Sequence, residues 1–309
     1  MRKTFSAGLA GLAFVLAGPA LAQDMSADPA AETMSTDPAA QTTGYDTPGA
    51  VTTPDPTTGD EPFTGLYVGG AAGYDVQSND VGSSILFDRG SNGSFGEAVT
   101  TGTGANAFSP GFCNGAANAA TPAGGCRNDR DDLGYYGRVG LDYQAGKIVV
   151  GVVGEFGRSE ITDSVSAFST TPANYVMTRS IDWEASIRGR AGFVAGRSTL
   201  FYGTFGPSYA RIDNDFRSTN AANAFASTNK DRVWGITGGG GVEQLIGNNF
   251  SIGLEYMYHQ YDDNDARVSV TQGTSPANNP FVLAGGVDFR RSDEKFRWHS
   301  LRGTANFRF

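Results

Sequence analysis

Past its first seventeen residues the chain has no apolar run long enough for a membrane-spanning helix, which needs at least about 18 apolar residues in succession, so a helical inner-membrane protein is excluded. Cysteine is scarce: Cys113 and Cys126 are the only two, and the only histidines, His259 and His299, lie far from them in sequence. A Cys/His metal centre therefore lacks ligands. In an oxidising compartment the pair is expected to form a disulfide, Cys113–Cys126. Positive charge is in deficit, with 23 Lys and Arg against 32 Asp and Glu for a net charge of −9. That balance excludes a strongly basic nucleic-acid surface.

What the chain does have begins at its start. Arg2 and Lys3 precede an apolar run from about Ala7 to Ala17, and Pro19-Ala20-Leu21-Ala22 precedes Gln23. This pattern predicts a secretory signal peptide over 1–22, too short to cross ~30 Å of hydrocarbon and ending in a small-x-small cleavage site. No Cys follows that site, so no lipoprotein anchor is expected.

Residues 23–62 form a linker of Ala, Thr, Pro, Asp and Ser. Between Asp24 and Glu61 it carries eight acidic residues, no Lys or Arg, and Tyr45 as its one aromatic. A nine-residue unit, Met25 to Thr33, repeats as Met34 to Thr42. Such a segment cannot bury a core, and it reads as a disordered acidic periplasmic tether. It accounts for most of the acidity and leaves the rest of the chain near −3.

From Phe63 to Phe309 the hydrophobic pattern has period two, which places alternate side chains on opposite faces of a strand. Eight segments can be counted, and 43 glycines with abundant Phe and Tyr fit a barrel in which only alternate residues are apolar. They start at about Gly65, Leu133, Ile148, Ile181, Thr199, Arg232 and Phe250, with an eighth ending the chain. In the fourth, Ile181, Trp183, Ala185, Ile187, Gly189, Ala191 and Phe193 share one face, against Asp182, Glu184, Ser186, Arg188 and Arg190. An apolar band opposite an unbroken polar face predicts lipid outside and a polar lumen inside.

Short turns near 144–147, 196–198 and 247–249 alternate with long loops at about 77–131, 159–180, 214–231 and 263–295. Short periplasmic turns and long external loops are the rule in such barrels. The expectation is an all-β, eight-stranded antiparallel up-and-down transmembrane barrel in a Gram-negative outer membrane, with both ends periplasmic. Its surroundings would be outer-membrane lipid and lipopolysaccharide.

With its signal peptide, eight alternating strands and terminal Asn306-Phe307-Arg308-Phe309, the segment 63–309 resembles the small outer-membrane surface-antigen barrels of the OmpA-like and porin-family superfamily, of the alphaproteobacterial type. The resemblance implies that Phe307 and Phe309 form the signal read by the barrel-insertion machinery. One departure is Thr304, where the family's signal usually has Gly. A second is that no peptidoglycan-binding domain follows the last strand, so no cell-wall anchoring carries over. The likeness names an architecture more firmly than an activity.

The inward-facing charges Arg138, Asp142, Glu155, Glu184, Arg188, Arg190, Glu255 and Arg302 are the main candidates for function. An eight-stranded barrel has an interior just wide enough for side chains, and buried charges must be paired. A plugged lumen and a structural or surface-interaction role are therefore expected, the alternative being a small nonspecific diffusion porin. His259 is read as inward and His299 as outward, and Ser300 points away from its neighbour His299. No enzyme activity and no cofactor is expected. Gly238 to Gly241 lacks the Lys-Ser/Thr of a phosphate loop and reads as room inside the barrel or a bend. Trp183, Trp234, Trp298, Tyr74, Tyr135 and Tyr256 read as interface anchors, with an inward-pointing side chain as the alternative for Trp298. The first loop, Gln77 to Asp132, is long enough for a role in contacting an extracellular partner.

Overall fold

The structure, a computed structural model, describes residues 61–77, 83–228 and 230–309. The expected signal peptide and the linker as far as residue 60 lie outside these residues. Eight long strands follow in order: β1 Gly65–Gln77, β2 Asp132–Ala145, β3 Ile148–Ser159, β4 Ala173–Ala195, β5 Thr199–Ser218, β6 Lys230–Ile246, β7 Phe250–Asp262 and β8 Lys295–Arg308. Each pairs antiparallel with its chain neighbour, and β1 also pairs with β8 from Tyr67↔Arg308 to Gln77↔Trp298, which closes the sheet into a barrel. Closure leaves these strands no unpaired edge. The short turns between β2 and β3, β4 and β5, and β6 and β7 each begin with a glycine at φ near +60°: Gly146, Gly196 and Gly247. That backbone conformation is cheap only for glycine.

Period two is legible in the side chains. Leu66, Val68, Leu141, Val150, Ile187, Phe193, Phe205, Ile252, Leu254 and Leu301 stand exposed on the outer face. An apolar band of this extent has no counterpart on a soluble monomer and fits a lipid-facing surface. Asp142, Arg188, Arg190, Glu255 and Arg302 are buried on the inner face.

One position departs from the sequence expectation, and at another the structure decides between two alternatives. Ile181 is buried, not outward: β5 pairs Arg211 with Trp183 but Ile212 with Ile181, so Asp182 is skipped as a β-bulge and the alternation reverses above it. Trp298, for which interface anchor and inward filling are the alternatives, is completely buried inside the barrel, stacked on His259 with ring centroids 4.7 Å apart.

The long loops are folded and carry strands of their own. β4 and β5 rise well beyond the other strands, and β4 pairs there with Thr162–Ser169, which pairs in turn with Gly111–Asn114. A separate four-stranded sheet takes one strand from the first loop, Ile85–Arg89, one from the third, Ala224–Ser227, and two from the fourth, Val268–Thr271 and Val287–Arg291. Between these sheets lies a core of Phe87, Phe108, Tyr175, Phe281 and Phe289, with Phe87 and Phe108 stacked at 4.2 Å. The loops thus build a cap with its own hydrophobic centre, fastened in the first loop by the Cys113–Cys126 disulfide.

Candidate functional site: the barrel lumen and its cap

All eight sequence-predicted charges lie inside the barrel, where β2, β3, β4, β7 and β8 bring seven of them into two layers and set Glu184 above. In the middle layer, Arg138 on β2 reaches Glu255 on β7 at 2.8 Å and Glu155 on β3 at 3.5 Å. Arg302 on β8 bridges the same two carboxylates, at 2.8 Å to Glu155 and 2.9 Å to Glu255. Arg188 adds a contact to Glu155 at 3.1 Å, and the Tyr202 hydroxyl donates to Glu255 at 2.5 Å. Two carboxylates therefore hold three guanidiniums.

Nearer the short turns, Asp142 and Glu243 face Arg190 and Arg308. Arg190 bonds Asp142 at 2.8 Å and also pairs with Glu243, while Arg308 reaches both carboxylates at 2.9 and 2.8 Å. The Arg190 guanidinium lies 3.8 Å from the Tyr202 ring centroid, so cation and aromatic face also stack. Glu243 was missed in the sequence because its strand carries Gly238 to Gly241. Those glycines fit the tight interior, since a side chain at Gly241 would run into Glu255 and the Tyr202 hydroxyl. Arg308 reads as inward from the alternation, but nothing local marks its partners.

Glu184, the remaining predicted carboxylate, sits one layer higher. It accepts hydrogen bonds from the Tyr261 hydroxyl at 2.5 Å and from His259 Nδ1 at 3.2 Å. Nearby, Ser159 donates to Asp75 at 2.5 Å. The polar layers lie between two apolar ones. Phe63, Val149, Val194, Leu200 and Leu245 cluster at the short-turn end, and Ile161, Ile181, Ile212, Tyr261, Phe296 and Trp298 fill the long-loop end.

Above the second apolar layer, loops two and four are tied across the mouth. Arg179 donates to Asp163 at 2.7 Å and pairs with Asp293 at 3.2 Å and Asp263 at 3.6 Å, while Arg291 reaches the other Asp163 oxygen at 2.6 Å. Burial pushes the Asp163 carboxyl up, but the Arg291 and Arg179 guanidiniums outweigh it and hold the group below the usual carboxylate range. Asp129, in the first loop, is pushed up to about 6, chiefly by burial and then by the Asp163 charge.

His259 faces the lumen, whereas His299 lies on the outer face, where its Nδ1 is 2.6 Å from the Tyr256 hydroxyl. The structure does not bring the two histidines into one site with a serine.

No family model matches the chain. In sequence it is 30% identical over 111 residues to the 31 kDa outer-membrane immunogenic protein of Brucella melitensis, spanning 36% of this chain and 46% of that one. It is 32% identical over 140 residues to the 22 kDa outer membrane protein of Rhizobium leguminosarum bv. viciae, spanning 45% and 58%. The chain thus spans about half the length of the curated relatives it matches. Among solved structures it is similar to the outer membrane protein OprG of Pseudomonas aeruginosa, at 13% identity over 80% of this chain and 96% of that one, with a TM-score of 0.45. Neisserial surface protein A aligns at 11% identity over 80% and 98%, with a TM-score of 0.33. A closed eight-stranded barrel with an apolar outer band, together with relatives that are outer-membrane proteins, makes this chain an outer-membrane β-barrel protein.

Proposed function

We propose that the barrel is a sealed anchor that holds a folded cap at the cell surface for contact with the surroundings, as in OmpA-like surface-antigen barrels, and is not a conduit. One observation carries this reading: Arg138, Arg188, Arg190, Arg302 and Arg308 are met by Asp142, Glu155, Glu243 and Glu255 within the lumen. A water-filled pore would leave such charges solvated, whereas here they are buried, paired and stacked on Tyr67, Tyr136 and Tyr202.

On this reading the short turns and both ends of the chain face the periplasm, and the cap faces outward into the lipopolysaccharide layer. Phe307 and Phe309, exposed at the end of the last strand, suit recognition by the barrel-insertion machinery. On the same reading the histidines of the described residues have no catalytic role: they point to opposite faces, His259 as lumen filling and His299 as part of the interfacial belt.

The test is liposome swelling with the refolded protein. Liposomes should swell in arabinose or glycine no faster than protein-free ones, and rapid swelling that scales with protein content would make this a diffusion porin.

A further inference from the structure

The distal parts of all four long loops are free of charge. Residues 98–126, 164–178, 218–228 and 268–287 contain no Asp, Glu, Lys or Arg, although charged residues stand immediately before each stretch, at Glu97, Asp163, Arg217 and Arg267. The composition of these stretches is Thr, Ser, Asn, Ala and Gly with a few aromatics. Surface loops are ordinarily the place where charge collects, because it costs least there. Its withdrawal from four separate loops that converge in space is a property of the assembled cap.

At that convergence lies a cavity of about 370 Å³, lined by residues from every loop. Its inner wall includes Phe108, Tyr175 and Phe281, three rings within 6.0 Å of one another. Its rim carries the hydroxyl of Thr171 and the amides of Asn220 and Asn279. Those amides are held in place beforehand. Asn220 Nδ2 donates to the Tyr175 hydroxyl at 3.0 Å and to Asn223 Oδ1 at 2.9 Å, and Asn223 and Asn279 exchange amide hydrogen bonds at 3.2 and 3.4 Å. An apolar wall with a few fixed polar groups, in a volume within the range of ~300–1,000 Å³, is the form of a small-ligand site.

We propose that this cavity binds a neutral saccharide of one or two rings. The inference rests on the reading of the cap as a contact surface and names what it contacts. The absence of charge disfavours phosphates, sulfates, uronic acids and amines, none of which would find a counter-ion there. Aromatic faces suit the C–H faces of a pyranose, and preset amides and hydroxyls suit its hydroxyl groups. A purely apolar ligand would cover the Thr171 hydroxyl without pairing it, at a cost.

The test is saturation-transfer NMR on the full chain in lipid nanodiscs, with maltose, cellobiose and glucuronate as probes. Maltose or cellobiose should show saturable transfer at millimolar concentration, and glucuronate none. Ala222→Trp, at an exposed position on the rim, should weaken that binding by at least about tenfold, whereas Ser94→Trp, exposed but outside the cavity, should leave it unchanged. Absence of transfer to both neutral sugars, glucuronate binding as tight as theirs, or indifference to Ala222→Trp would each overturn the proposal. Failure here alongside non-swelling liposomes would remove the ligand and leave the sealed-barrel reading standing.

Discussion

Glu155 and Arg188 meet end-on inside the barrel through two parallel hydrogen bonds of 3.1 Å each, Nη1 to Oε1 and Nη2 to Oε2. They sit on adjacent strands one diagonal step apart, since Glu155 pairs in register with Ser186. The geometry is the planar fork that guanidinium and carboxylate share. Glu155 is also the carboxylate on which Arg138 and Arg302 converge, so its charge supports three cations.

Glu155→Gln should therefore destabilise the folded barrel by ~3–5 kcal/mol, the cost of leaving buried charge uncompensated. Urea unfolding in lipid vesicles, followed by tryptophan fluorescence, measures it. Adding Arg188→Met to that variant should recover part of the loss, because it removes one of the stranded cations. A single-variant loss below about 1 kcal/mol would mean that water already reaches the layer.

The cap has its own core, so it should yield separately from the barrel. Phe289, buried against Phe87, Phe108, Tyr175 and Phe281, is its hub. Phe289→Ala should cost the cap ~3–5 kcal/mol. The loops should become protease-sensitive while the barrel keeps its heat-modifiable gel mobility. Simultaneous loss of both would show one cooperative unit.

The alternation of period two carries a great deal of this architecture. It places β1 to β8 within a few residues, except that β4 and β5 run further beyond the membrane, and it assigns the outer face correctly at nearly every position because lipid outside and polar filling inside reinforce each other. It fails at Ile181, where a bulge reverses the faces and no local residue announces it. It leaves Trp298 undecided because an aromatic near a strand end suits an interface belt and a lumen mouth equally well. The cap was not legible as a unit, since its sheet joins strands about two hundred residues apart, as in Phe87↔Phe289. A signal was nonetheless present: Ile85-Leu86-Phe87 is a short apolar run, and Val268-Ser269-Val270 and Val287-Asp288-Phe289 are short period-two segments, inside what reads as loop. Pairing partners such as Glu243 with Arg308 depend on barrel closure, which the sequence of either strand does not encode.

The disulfide closes a short loop on the strand Gly111–Asn114, which pairs with the second-loop hairpin through Cys113↔Ser166. Cys113→Ser should remove up to ~3 kcal/mol of local stability, by the constraint that such a bridge places on the unfolded loop. Hydrogen exchange should accelerate at 111–127 and 165–168 and stay unchanged in β7 and β8. Uniform acceleration would contradict a local role.

Asp129 gives the cap a pH dependence of defined sign. Its carboxyl is raised from an ordinary 3.8 to about 6, so the folded cap binds this proton more tightly than the unfolded chain does. The group therefore favours the cap below about pH 4, and this contribution is lost as pH rises to about 6. Asp129→Asn retains an oxygen to accept from the Ser164 amide, which donates at 2.7 Å in the parent. The variant should stabilise the cap at pH 7 and flatten its stability between pH 4 and 6, as read by protease protection. Destabilisation at pH 7 would show that the charge itself is needed.

The central claim is that paired charges between two apolar layers seal the lumen. Single-channel recording in a planar bilayer addresses it directly, with the Arg188→Ala variant beside the parent chain. The account predicts a silent parent and brief or steady openings in the variant, where one cation is gone and space is left in the middle layer. Discrete, stable openings in the parent would contradict it and identify the barrel as a small porin.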